Sequence, residues 1–402
     1  MSYLQGSKDI NMNLTKKIGY FSQIAFASAL VFACDQKTEV VEEVVAEPID
    51  ETYAVQTEKL LVKIDTLHTG FENPWGMTWL EDGTLLVTEK KGEILIFKDD
   101  QFTGEKIEGL PEVSTKGQGG LLDIQAHPKY GENGWLYISY AKTVSDELTS
   151  TAIMRFRLDG NMAVDKEELI ESQPGWKGGN HYGSRIVFDN DGYLYYSNGD
   201  RFDRKINAQE LTNSHGKIHR IHDDGRIPED NPFVNTPDAI PSIWSYGSRN
   251  PQGLFYDKAN NRLWESEHGP MGGDELNLIE KGKNYGWPEI TYGKNYDGST
   301  ITEITEKEGM EQPVTYYVPS IATAGITMVT SDKYPAWKGD ILIGALAKTH
   351  INRVDMDGTK ALSQEVMLQD IGRVRQVKES PDGYLYAITE GTGLLVKIIP
   401  IR

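Results

Sequence analysis

Crosslinking is nearly excluded: Cys34 is the only cysteine in 402 residues, so no disulfide can form within one chain. Basic charge is scarce as well. The 41 lysines and arginines stand against 60 aspartates and glutamates, a net charge of −19, which argues against nucleic acid as a partner and repels acidic substrates at long range. No apolar run reaches the length of a spanning helix. No stretch sustains a helical hydrophobic period either, apart from short helix-like segments at 167–172 and 207–212. A helical bundle is therefore disfavoured. What the chain has in quantity is glycine (40) and tyrosine (20), set among short alternating stretches, with 38% hydrophobic residues. That composition excludes disorder and points to turn-rich β structure.

The first residues differ from the rest. With Met12 as the start, a basic Lys16-Lys17 pair precedes the apolar run IGYFSQIAFASALVFA and then Cys34, the order of a secretory signal peptide over 1–33. The V-F-A-C ending is similar to a bacterial lipoprotein processing box, which predicts lipidation at Cys34 and a periplasmic or cell-envelope protein touching membrane only through that anchor. Residues 34–57 follow as an acidic tether. The stretch DQKTEVVEEVVAEPIDETYAVQT has no turn punctuation and no lasting apolar period.

Beyond the tether, over 58–402, one phrase recurs: a turn ending in glycine, then a β-rich stretch. It stands at 81–97, 132–141, 190–200, 260–269, 337–354 and 381–398. Six copies give about 57 residues each, which suits four short strands and their loops. The expected fold is all-β, a six-bladed β-propeller with four-stranded antiparallel blades. Its ligand site should lie where loops from several blades meet at the central channel. Asp189-Asn190-Asp191-Gly192 and Asp355-Met356-Asp357-Gly358 look calcium-like but lack the spacing of a calcium loop, so they read as hairpin turns. His215, His219 and His222 do not make a zinc set, because strand residues 219 and 222 point to opposite faces.

Longer phrases carry a resemblance. FENPWGMTWLEDGTLLVTEKKG (71–92), GQGGLLDIQAHPKY (117–130), NHYGSRIVFDNDGYLYYSNGDR (180–201), SYGSRNPQGLFYD (245–257), EHGPMGGDELNLIEKGKNYGWP (267–288) and GRVRQVKESPDGYLYAITE (372–390) run in order along the core. The sequence resembles the soluble glucose and sorbosone dehydrogenases that use pyrroloquinoline quinone. The resemblance implies a six-bladed propeller that oxidises aldoses at the C1 hydroxyl to the lactone. Electrons would go from the quinone to an external acceptor, a quinone or a cytochrome; the chain has no C-x-x-C-H for a haem of its own. A neutral imidazole suits removal of the hydroxyl proton, and His181 matches the family's catalytic histidine. Arg249, Asn250, Arg373, Arg375 and Gln118 match its cofactor-binding positions. The cationic forks suit a cofactor with three carboxylates, and Arg373 and Arg375, two apart on a strand, share a face. The carbonyls of Gly269 and Pro270 match its Ca²⁺ ligands. Glu267, Asp274 and Glu275 nearby read as solvated loop charges.

Two positions depart from the family pattern. Ala347 stands where some members have a cofactor-binding lysine, with Lys348 beside it, and Asn180 replaces an aspartate beside the histidine. Trp75, Trp176, Trp287 and Tyr292 suit either stacking on a sugar ring or core packing. A non-catalytic propeller that has lost its cofactor is the competing function. A calcium-dependent lactonase is disfavoured, because no set of carboxylate and asparagine ligands is evident.

Overall fold

The computed structural model describes residues 53–203 and 207–401. The leader, Cys34 and most of the tether lie outside the described residues. Strands β1 (Tyr53–Gln56) and β2 (Leu61–Thr69) come first. Blade one is β3 (Pro74–Trp79), β4 (Leu85–Glu89), β5 (Glu93–Lys98) and β6 (Gln101–Lys106). Blade two is β7 (Leu121–Ala126), β8 (Leu136–Thr143), β9 (Leu148–Asp159) and β10 (Met162–Glu171), with the short β11 (Trp176–Lys177) paired to β9. Blade three holds β12 (Ile186–Phe188), β13 (Leu194–Asn198), β14 (Lys217–Ile221) and β15 (Ile243–Tyr246). Blade four holds β16 (Pro251–Asp257), β17 (Arg262–Glu267), β18 (Asp274–Ile279) and β19 (Thr315–Tyr317). Blade five holds β20 (Thr323–Met328), β21 (Ile341–Ala345), β22 (His350–Asp357) and β23 (Lys360–Met367). The last blade takes β24 (Arg373–Glu379), β25 (Leu385–Glu390) and β26 (Leu394–Pro400) from the C-terminus and closes on β2 and β1. The one helix among the described residues, α1, spans Tyr130–Asn133.

This is a six-bladed β-propeller with antiparallel blades. The first strand of each blade touches the first strand of the next, and β24 touches β3, so the ring is closed. Closure joins the two ends of the chain: β2 pairs with β26 from Val62↔Pro400 to Thr69↔Leu394. Strand β1, paired to β2, lies in the stretch read from sequence as tether, so the folded unit begins before residue 58.

The six repeated phrases each contain all or most of the second strand of a blade: β4, β8, β13, β17, β21 and β25. These strands are buried along nearly their whole length, because blades stack face to face and both faces of a middle strand meet a neighbour. The alternation sorts side chains between neighbours. In β17, Trp264 packs with Ile326 and Ile341 of blade five, while Leu263 packs with Tyr195 and Ile218 of blade three.

Two helix-like segments are corrected. Residues 167–171 lie in β10, where pairing to β9 overrides local propensity, and 207–212 form turns. The aspartate-glycine phrases are hairpin turns: Asp189 Oδ1 accepts the backbone N–H groups of Asp191 and Tyr193 at 3.0 and 2.8 Å. Blades five and six are tied by Tyr334, whose buried hydroxyl donates to the Ile398 carbonyl and accepts the Leu385 N–H at 3.0 Å. Tyr334→Phe should lower unfolding stability by about 1–2 kcal/mol, measured by urea denaturation, because it orphans both backbone groups.

Strand direction decides where the site forms. In an antiparallel blade the start of the first strand and the end of the second emerge at the same end. Gln118, His181, Asn250 and Arg373 stand before or at the start of first strands, and Lys90, Asp200, His268 and Glu390 follow or end second strands. All eight therefore meet at one end of the ring.

Candidate active site

His181 sits just before β12 in the left-handed region, φ 53°, a conformation that is uncommon for a residue with a side chain. Its backbone is held in place: the N–H donates to Gln118 Oε1 at 2.8 Å. Gly199 is required beside it, since a Cβ there would lie 2.4 Å from the His181 carbonyl oxygen. The imidazole is buried, 4% exposed, and lies edge-on to Phe202 with centroids 5.0 Å apart.

Nδ1 of His181 lies 2.6 Å from Asp200 Oδ1. The other oxygen of Asp200 accepts the indole N–H of Trp287 at 2.8 Å, and the Phe202 N–H donates to Oδ1 at 2.8 Å. Burial would push the Asp200 carboxyl up, but its bond to His181, the charges of His181 and Arg249 and the Phe202 amide hold it below the ordinary range. An ionised Asp200 can only accept, so Nδ1 carries the proton and Nε2 presents its lone pair. Burial lowers the His181 pKa; Asp200 opposes that, and Arg249 and Arg201 add to it. The imidazole is thus held neutral below its usual titration range, the state a base requires. Trp287→Phe should lower kcat about tenfold, matching the loss of a hydrogen bond to a charged group worth about 1.5 kcal/mol. Steady-state kinetics checks this.

Next to this assembly a cleft of about 180 Å³ is lined by Trp75, Lys90, Gln118, Asn250, Gln252, His268, Arg373, Arg375 and Glu390 among others. Four of the five residues expected to bind cofactor, Gln118, Asn250, Arg373 and Arg375, therefore share one cavity. The register of β24 against β25 breaks between Val374 and Gln376, yet both arginines still face one carboxylate. Arg373 Nε lies 3.2 Å from Glu390 Oε2, and Arg375 Nε and Nη2 lie 2.8 and 2.6 Å from Oε1. Burial would raise Glu390, but Arg375 and then Arg373 bring it below the carboxylate norm. Two lining groups, His268 Nε2 and Asn250 Nδ2, are buried without a partner. Cationic forks and orphaned polar atoms around one cleft fit a flat, polar, anionic ligand.

Arg249 is placed differently from the other expected residues. Its Nη1 donates to the carbonyls of His268 and Gly269, both at 2.8 Å. The Gly269 carbonyl expected to hold calcium thus accepts from a guanidinium in this arrangement, and among the described residues no group of three metal-ligating side chains occurs. The acidic neighbours are not solvated loop charges: Glu267 ends β17, Asp274 and Glu275 begin β18, and all three are buried. Burial comes first among the causes that raise Glu267 well above a normal carboxylate and Glu275 to about 7. Ala347 and Lys348 are exposed, and neither lines the cleft.

A family model for glucose / sorbosone dehydrogenases matches residues 71–397. The chain belongs to the glucose/sorbosone dehydrogenase family. Among members of this family, aldose sugar dehydrogenase YliI of Escherichia coli is 38% identical over 346 residues, 84% of this chain and 93% of that protein. Quinoprotein glucose dehydrogenase B of Acinetobacter calcoaceticus is 27% identical over 82% of this chain and 85% of its own. The PQQ-bound form of aldose sugar dehydrogenase from Streptomyces coelicolor superposes with a TM-score of 0.69 at 29% identity, covering 85% of this chain and 98% of that one. Membership makes the protein an oxidoreductase of the sugar-oxidising class.

Asp200, Lys90, Gln252, His268 and Glu390 were not read as site residues from sequence. Asp200 ends the phrase YYSNGD, but no spacing pointed it at a histidine nineteen positions earlier. Trp287 was weighed for sugar stacking; its indole instead anchors Asp200.

Proposed function

We propose that the protein oxidises aldoses at the anomeric C1 hydroxyl to the lactone, using pyrroloquinoline quinone held in the cationic cleft and passing electrons to an external acceptor. The observation that carries this is the His181–Asp200 pair beside that cleft. When bound, the quinone supplies an electrophilic carbon that accepts the C1 hydride. The chain's own residues do the rest. His181 Nε2 takes the hydroxyl proton, and Asp200 holds the ring in the tautomer that permits this and stabilises the imidazolium that results. Arg373, Arg375, Asn250 and Gln118 bind and orient the cofactor. Arg249, adjacent to Asn250 in the chain, completes the proposed set, although it donates to the carbonyls of His268 and Gly269 and does not line the cleft.

Ca²⁺ at the Gly269 and Pro270 carbonyls is part of the proposal, since hard oxygen donors suit it. The Gly269 oxygen already accepts from Arg249, so the ion would share that oxygen through its second lone pair or displace the guanidinium. Export and lipid anchoring at Cys34 rest on the leader sequence alone. Among the described residues no helix is long and apolar enough to cross a membrane.

The test is titration of apoprotein with pyrroloquinoline quinone, with and without a calcium chelator, following the cofactor's absorbance when an aldose is added. One-to-one binding with sugar-dependent reduction supports the reading. Failure to bind at micromolar cofactor overturns it and leaves the propeller as a recognition module.

A further inference from the structure

The cleft has more positive than negative charge, and one cation in it lacks a carboxylate partner. Arg373 and Arg375 share Glu390. The third cation is Lys90, which lines the same cavity from the turn after β4. It forms no ion pair with any described residue, and its Nζ donates only to the Gly117 carbonyl, at 3.3 Å. Its neighbour behaves as an ordinary surface lysine: Lys91 Nζ lies 3.0 Å from Glu72 and 3.2 Å from Glu93. In a chain with 60 acidic residues against 41 basic ones, a half-buried lysine with no ion pair among the described residues needs an explanation.

The backbone fixes where Lys90 stands. Its N–H donates to Asn73 O at 3.1 Å and its carbonyl accepts the Leu121 N–H at 3.0 Å. The contact with blade two is so close that a Cβ on Gly120 would lie 2.3 Å from the Lys90 oxygen, and Gly120 has φ 147°. Blade packing thus fixes the backbone from which the side chain lines the cleft. Burial lowers the Lys90 pKa, against the attraction of Glu390, so a further anion in the cavity would be favoured beside it.

We propose that Lys90 is a cofactor-binding residue, supplying the uncompensated positive charge that lets the cleft hold a planar polycarboxylate. The inference rests on the pyrroloquinoline quinone reading above. In this cavity the arginine pair is half neutralised by Glu390 and Lys90 doubles the positive charge that remains, so the cleft discriminates for multiply charged anions despite the acidic surface around it.

The experiment is equilibrium titration of apoprotein with pyrroloquinoline quinone, read by absorbance or protein fluorescence, so that turnover is not needed. Lys90→Met should weaken binding by about tenfold or more and flatten its dependence on salt, Lys90→Arg should stay near the unsubstituted protein, and Lys91→Met should change nothing. Thermal melting of each variant checks folding. If Lys90→Met loses its cooperative melt, the comparison moves to Lys90→Glu against Lys90→Gln, with the glutamate variant expected to bind more weakly. Unsubstituted protein that binds while Lys90→Met binds equally well overturns the inference and leaves the proposed function standing. Unsubstituted protein that does not bind overturns both.

Discussion

Replacing His181 with alanine should lower kcat by about 10²–10⁴, the usual contribution of a positioned general base, while cofactor binding persists. The separation is expected because His181 stands beside the cleft: Gln118, Asn250, Arg373 and Arg375 line it, and the imidazole does not. Single-turnover reduction of bound cofactor by an aldose reads the chemical step, and a titration reads binding. Loss of both together would show that His181 holds the loop around Gln118, to which its backbone is bonded. Asp200→Asn gives a finer reading. Asp200 is the group that raises the His181 pKa against burial, so without its charge the imidazole stays neutral to lower pH. The acid limb of the rate profile should move to lower pH while the plateau falls, because an amide donating to Nδ1 forces the proton onto Nε2. A limb that moves to higher pH would contradict the assigned pair.

The largest stability effect is expected in the wall of the central channel. Asp123 in β7 is 1% exposed; its Oδ1 accepts from Arg185 Nη1 at 2.9 Å and its Oδ2 accepts the Ile186 N–H at 2.9 Å. Arg185 is fully buried, with its guanidinium carbon 4.0 Å from the Trp75 ring centre and Nη2 already without a partner. Burial lowers the Arg185 pKa, and Asp123 is the first group that opposes this. Asp123→Ala should therefore destabilise the fold by about 3–5 kcal/mol, the range for stranding one member of a buried ion pair. Asp123→Asn, which keeps an acceptor for the Ile186 amide, should cost less. Urea denaturation of the three proteins checks the order. A loss under about 1 kcal/mol for the alanine variant would mean that water solvates Arg185 in the channel.

The two residues tested above differ in how visible they are in the chain. His181 was legible because it sits in a phrase, NHYGSRIVF, whose histidine can be weighed against the chemistry of proton removal. Asp123 was not, because nothing in GLLDIQAH distinguishes a strand aspartate facing solvent from one facing an arginine sixty-two positions later. Glu267, Asp274 and Glu275 show the same limit. Their local sequence reads as a charged loop, and only the stacking of blade four against its neighbours buries them.

What the sequence determined by itself was the period and the chemistry of types. Six turn-and-strand phrases set six blades, because a repeat that cannot bury its own faces must stack on copies of itself. The arginines, histidine and amides in matched phrases pointed to the kind of ligand that is proposed. Tertiary structure decided partnership: that Arg373 and Arg375 share Glu390, that Asp200 and Trp287 orient His181, that β2 from the N-terminus seals the last blade, and that Lys90 of a Lys-Lys pair turns inward while Lys91 turns out. The reason is geometric. Period and residue type are properties of contiguous chain, whereas charge pairing at the mouth of a ring joins strand ends from different blades, and only closure of the ring brings those ends together.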